Sequence, residues 1–163
     1  MKFNLIDKVQ SLTEERIVAV KYVSLAEEYL ADHFPTFPVL PGVLMLEALT
    51  QAASWLLHLR RDFACSMAVL KEARNVKYGR FVAPGNALRV EVEFAKLTDT
   101  GGTFKAAGYL ENDQALSARL ELAYFNLADR QPELASADAL LRNHNRSRWT
   151  LLQQPQAPIP SQI

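Results

Sequence analysis

His33, Gly42 and Glu47 are the residues of this chain whose types and spacing can do chemistry together. Imidazole titrates near neutral pH, so a histidine can accept a proton there. A carboxylic acid set in apolar surroundings can keep its proton and later donate it. Backbone N–H groups at a helix start lack partners within that helix and can hold a developing oxyanion. A base, an acid and an oxyanion donor together suit proton removal next to a carbonyl with loss of a β-leaving group. His33 is then the candidate base, Glu47 the candidate acid and Gly42 the candidate donor. Gln51, one turn beyond Glu47, can orient the carboxyl group. Each residue also has a plainer account. His33 can be a loop histidine satisfying hydrogen bonds, and Glu47 can be neutralised by a structural partner or by the helix dipole.

A stiff loop carries these groups. Prolines at 35, 38 and 41 fix φ and remove backbone donors, and the residues before them are pushed towards extended conformations. Pro41 suits a helix start, and Gly42 allows close approach to the backbone. No helix breaker follows until about Arg60, which predicts a helix over residues 42–60, roughly 27 Å long. That helix is apolar on nearly every face and is therefore enclosed by protein. Along it Glu47, Gln51, Ser54 and His58 form one narrow polar stripe. Ser54 and His58 are expected to mark the side facing a partner or solvent.

The remaining elements follow from periodicity. Residues 16–24 are rich in β-branched side chains and read as a strand, and residues 26–31 as a short helical turn. Residues 67–77 form a further strand. Leu88, Val90, Val92 and Phe94 alternate with Arg89, Glu91, Glu93 and Ala95, a half-buried strand. Two more strands cover 104–110 and 115–125, with turns at 83–86, 99–102 and 111–113. Short connections imply an antiparallel sheet. One long buried helix with one such sheet gives an α+β architecture, the sheet curled around the helix. Residues 1–127 are expected to form this unit and 128–163 a C-terminal extension. In it, 132–142 forms a short amphipathic helix, and the proline-bearing end from Gln153 is extended or disordered.

Composition narrows the function classes. Lys+Arg and Asp+Glu balance at 18 each, with 49% hydrophobic and 22% charged residues, as in an ordinary globular protein. A nucleic-acid binder would show a basic excess. The single Cys65 excludes an internal disulfide and fits a reducing cytoplasm. The first ten residues lack the apolar core of a signal peptide, and the apolar stretch at 43–57 is too short and too interrupted for a membrane span. The three histidines and one cysteine match no zinc spacing, so no metal and no cofactor are expected. Lys71, Arg74, Lys77 and Arg80 form a basic group, either solvated or able to hold an acidic partner.

The run His33-Phe34-Pro35, Pro38, Pro41-Gly42-Val43-Leu44, Glu47-Ala48 and Gln51-Ala52 closely resembles the signature of bacterial 3-hydroxyacyl-(acyl carrier protein) dehydratases, hot-dog-fold enzymes of fatty acid synthesis. The resemblance extends over residues 16–127 and includes the Val82-Ala83-Pro84-Gly85-Asn86 turn. It implies that His33 and Glu47 are catalytic and that Gly42 N–H binds the thioester carbonyl. It also implies that the Val39 carbonyl orients the imidazole and that Gln51 lies beside the acid. The implied reaction is dehydration of a (3R)-hydroxyacyl thioester to the trans-2-enoyl thioester. The implied partner is acyl carrier protein bearing a phosphopantetheine-linked acyl chain. The implied assembly is a homodimer sharing His33 and Glu47 between subunits, often built into a hexamer as a trimer of dimers. Three positions depart from the pattern: Asp32 and Thr36 stand where glycines are usual, and Ala26-Glu27 stands for an Asn-Glu pair. The alternatives weighed are a thioesterase on the same fold and a non-catalytic acyl-carrier-binding subunit.

Overall fold

A computed structural model describes residues 3–34 and 36–153. Strands β1 (Lys8–Leu12) and β2 (Arg16–Tyr22) come first, followed by the short helix α1 (Tyr29–Asp32) and the long helix α2 (Gly42–Arg60). Strands β3 (Met67–Tyr78), β4 (Ala87–Thr98), β5 (Gly101–Leu110) and β6 (Asp113–Phe125) follow, and helix α3 (Ala135–Leu152) comes last. The six strands form one antiparallel sheet in the order β1-β2-β4-β5-β6-β3. Tight turns make β4, β5 and β6 a meander, whereas β3 pairs with β6 and stands at the far edge.

Alternation decides which face is inside. Leu88, Val90 and Val92 of β4 are buried, as are Leu116, Ala118, Leu120 and Leu122 of β6. Their neighbours Arg89, Glu91, Ser117 and Arg119 take the outer face. α2 lies against the inner face and contributes Met45, Ala48, Leu49, Ala52, Ala53, Leu56 and Leu57 to the same core. The sheet thus curls around a helix that is apolar on most sides, the α+β arrangement expected. None of the described helices is long and apolar enough to cross a membrane.

α2 keeps the bounds that Pro41-Gly42 and the absence of breakers dictate. It ends where Asp62 (φ 47°) and Phe63 (φ 55°) reverse the chain through the left-handed region. β1 was not expected. Its residues are half-buried or exposed, and a bulge between Val9 and Ser11 breaks what alternation it has.

α3 also exceeds expectation, running to Leu152 rather than stopping near Arg142. The polar run 142–148 lies within this helix, and it supplies ties rather than an end. Arg142 donates to Asn126 Oδ1 at 2.9 Å, and Arg146 to Asp62 Oδ1 at 2.9 Å. Trp149 and Leu152 join the hydrophobic core, with the Trp149 ring 5.7 Å from that of Trp55. Asp138 is buried at the start of α3. Its carboxylate accepts from the N–H groups of Leu127 and Ala128, each at 2.9 Å, and from the Ser66 hydroxyl. Burial alone would raise the Asp138 pKa, but these donors and nearby Arg142 hold it below the ordinary value. Of the end expected to be extended or disordered, residues 154–163 lie outside the described residues.

Candidate active site

His33 follows α1 directly. Its N–H donates to the Tyr29 carbonyl at 3.1 Å, capping that short turn. The next residue, Phe34, has φ 56°, a left-handed conformation that a bulky residue seldom adopts. A turn closes with Phe37 N–H on the Phe34 carbonyl at 2.7 Å. The proline-rich loop then brings the Val39 carbonyl oxygen to 3.2 Å from His33 Nδ1. A carbonyl only accepts, so Nδ1 carries the proton in this contact and Nε2 remains the basic nitrogen. Val39 and Leu40 are fully buried, and Leu40 N–H bonds to the Val82 carbonyl at 2.8 Å. That bond ties the loop to the Val82–Asn86 turn, where Gly85 takes φ 87° and Asn86 Nδ2 donates to the Ala83 carbonyl at 3.0 Å.

Gly42 opens α2. A Cβ on it would lie 3.0 Å from Cε1 of Tyr78, so the glycine admits the Tyr78 ring against the helix start. Its N–H belongs to the first turn, which has no intrahelical carbonyl to bond. One turn later Glu47 is half-buried and accepts from Gln51 Nε2 at 3.0 Å. The same Gln51 amide is gripped by the N-terminal segment. Leu5 N–H donates to its Oε1 at 2.9 Å, and its Nε2 lies 3.2 Å from the Phe3 carbonyl oxygen. An amide whose oxygen is held by an N–H must turn its nitrogen to the carboxylate. Sequence reasoning placed Gln51 beside Glu47 but missed Phe3 and Leu5, because backbone groups leave no mark on residue type.

The segment leading to α1 is held by a second group that sequence reasoning passed over. Lys21 is 4% exposed, with its ammonium 2.6 Å from Glu27 and 3.4 Å from Asp7. A lysine inside the β-branched run of β2 was the available signal. Asp32 and Thr36, which replace the usual glycines, are both exposed.

His58, at the far end of the polar stripe, departs from expectation. His58 does not face a partner or solvent; it is 4% exposed, stacked on Phe63 and edged by Tyr124. Burial lowers its pKa from 6.5 to about 4. The chain reversal at Asp62-Phe63 supplies one wall of that enclosure. Ser54 is half-buried. Of the basic group, Lys71 pairs with Glu121 at 2.6 Å, Arg74 with Glu72 at 2.6 Å and Arg80 with Asp113 at 2.5 Å. Around the site Phe34, Phe37, Val43, Tyr78 and Phe81 expose about half or more of their surface.

A FabA-like domain model matches residues 1–120. The 3-hydroxyacyl-(acyl-carrier-protein) dehydratase FabZ of Clostridium perfringens is 37% identical over 121 residues, covering 74% of this chain and 87% of that protein. FabZ of Pelotomaculum thermopropionicum is 38% identical over 122 residues, again covering 74% and 87%. Among solved structures, the dehydratase heterocomplex ApeI:P from Xenorhabdus doucetiae superposes with a TM-score of 0.68 at 17% identity, covering 82% of this chain and 90% of that one. At that identity the likeness concerns the fold.

Proposed function

The chain belongs to the FabA-like family and has its hot-dog fold, and from that premise we propose that it dehydrates (3R)-3-hydroxyacyl chains carried on acyl carrier protein. The observation that carries this reading is that each of two reactive groups is separately oriented, His33 by the Val39 carbonyl and Glu47 by Gln51. Nε2 of His33 removes a proton from C2 of the thioester. The charge that develops on the thioester oxygen is met by the Gly42 N–H. Glu47 gives its proton to the C3 hydroxyl, which leaves as water while the C2–C3 double bond forms. Gln51 donates to Oε1, so the proton of the acid form resides on Oε2, the oxygen left to meet the hydroxyl.

We further assign the working unit as a homodimer, with His33 of one copy facing Glu47 of the other. The exposed rim of Phe34, Phe37, Val43, Tyr78 and Phe81 supports a second copy at this face. So does the outer edge of β3, which would otherwise present unpaired backbone. Assembly into a trimer of dimers and a cytoplasmic setting, which suits the free Cys65, complete the assignment.

Incubating the purified full-length chain with 3-hydroxyacyl-acyl carrier protein, and following loss of water by mass, tests the reaction. Enoyl product with the wild type and none with His33→Ala is the expected result. Absence of product across several chain lengths would overturn it.

A further inference from the structure

Helix α3 lies beyond the residues matched by the family model, yet it touches the segment that grips Gln51. Arg148 Nη1 donates to the side-chain oxygen of Asn4. Asn4 stands between Phe3 and Leu5, the residues whose backbone carbonyl and N–H bond the two ends of the Gln51 amide. Gln51 in turn donates to Glu47. Leu5 and Ile6 are buried just after this point, so the segment cannot slide freely along α2. A cavity of about 180 Å³ lies between α2, α3 and the N-terminal segment, lined by Phe3, Asn4, Gln51 and Arg148. Packing alone therefore leaves slack at this joint, and the Arg148–Asn4 hydrogen bond spans it.

We propose that Arg148 is a positioning residue: by holding Asn4 it keeps Phe3 and Leu5 where they fix the Gln51 amide, and so aims the Glu47 carboxyl. The role of Glu47 as the acid rests on the function proposed above; the hold on Gln51 does not. Arg146 on the same helix provides the comparison. It ties α3 to Asp62, and its guanidinium lies 4.9 Å from the Phe63 ring centre, away from Asn4. Losing Arg146 loosens the docking of α3 without touching the Asn4 contact.

The test compares Arg148→Ala, Arg148→Lys, Asn4→Ala and Arg146→Ala in the full-length protein. kcat and KM on 3-hydroxyacyl-acyl carrier protein are measured, together with hydrogen exchange at the Leu5 amide. Arg148→Ala and Asn4→Ala should each lower kcat about tenfold while KM stays within about twofold, as loss of one hydrogen bond in an orienting chain implies. The double variant should lose no more than either single one, because both remove the same contact. Leu5 exchange should quicken in both, Arg148→Lys should restore kcat and exchange, and Arg146→Ala should change neither. Equal kcat losses in Arg146→Ala and Arg148→Ala would make the effect a general consequence of loosening α3, and would overturn the inference. Unchanged Leu5 exchange in Arg148→Ala would overturn it whatever the activity. An inactive wild type would count against the dehydratase reading alone, since the exchange measurement still decides the hold on Gln51.

Discussion

His33 is oriented by the backbone of a residue six positions further along its own loop: Nδ1 lies 3.2 Å from the Val39 carbonyl oxygen. The proposed base is therefore set in one tautomer by a group that no side-chain substitution at residue 39 removes directly. Its ring can be lost only by changing His33 itself. His33→Ala should lower kcat by about 10²–10⁴-fold, the usual scale of general-base catalysis. Thermal unfolding should show little change, because the ring is half-buried in a loop.

Glu47→Gln should lower kcat on a similar scale, about 10²–10⁴-fold, since the amide cannot donate an acidic proton. Mixing is the sharper measurement. If sites are shared between copies, inactive His33→Ala and inactive Glu47→Gln refolded together form mixed dimers in which one of two sites is intact. Random pairing then returns roughly a quarter of wild-type activity. Recovery of none would place both groups of a site within one copy.

Gly42→Ala should impair turnover by crowding the Tyr78 ring, which already lies 3.0 Å from where the new Cβ would stand. Combining it with Tyr78→Ala should relieve the crowding. Comparing kcat of the single and double variants reads this directly. A double variant no better than Gly42→Ala alone would locate the damage elsewhere, at the N–H itself.

His58 sets an acid limit on stability. Its folded pKa is about 4 against an ordinary 6.5, so between these values the unfolded chain binds a proton that the folded chain refuses. Stability therefore falls as pH drops from about 6.5 to about 4, by on the order of 3 kcal/mol. Its Nδ1 is buried without a hydrogen-bond partner, so an apolar ring can replace it at little cost. Urea unfolding at a series of pH values should show this fall in the wild type and a flatter profile in His58→Phe.

Trp149→Ala should destabilise the protein by about 3–5 kcal/mol, the range for deleting a buried tryptophan. Trp149 is 7% exposed and packs on Trp55 of α2. Chemical denaturation measures the loss. A change below about 1 kcal/mol would mean that α3 is dispensable to the core.

Much of the architecture was legible because it follows from local rules. The bounds of α2 were written in Pro41-Gly42 and in the lack of a breaker before Arg60. β4 showed in the alternation of Leu88, Val90, Val92 and Phe94 with polar neighbours, and β5 and β6 in the turns that bound them. β1 left no such trace, since its pairing with β2 is a backbone matter and its side chains hardly alternate. The full length of α3 was hidden for another reason. Its polar residues read as an end to structure, while Trp149 and Leu152, which bury it, come later in the chain. At the site, residue types pointed to His33, Glu47, Gly42 and Gln51. The left-handed Phe34, the Tyr78 ring against Gly42 and the grip of Phe3 and Leu5 on Gln51 depend on tertiary contacts that no local spacing encodes.

Asn4 and Arg148 are 144 positions apart in the chain. Translation delivers the first of them long before the second. A growing chain can curl its sheet around α2 well before then, but the link that steadies Gln51 must wait for α3 to emerge. The proposed acid is thus set after the sheet and helix that carry it. A chain that ends after β6 but before Arg148, or one cut there by proteolysis, would keep the sheet and α2, less stably without Trp149, while its carboxyl group stands loosely aimed.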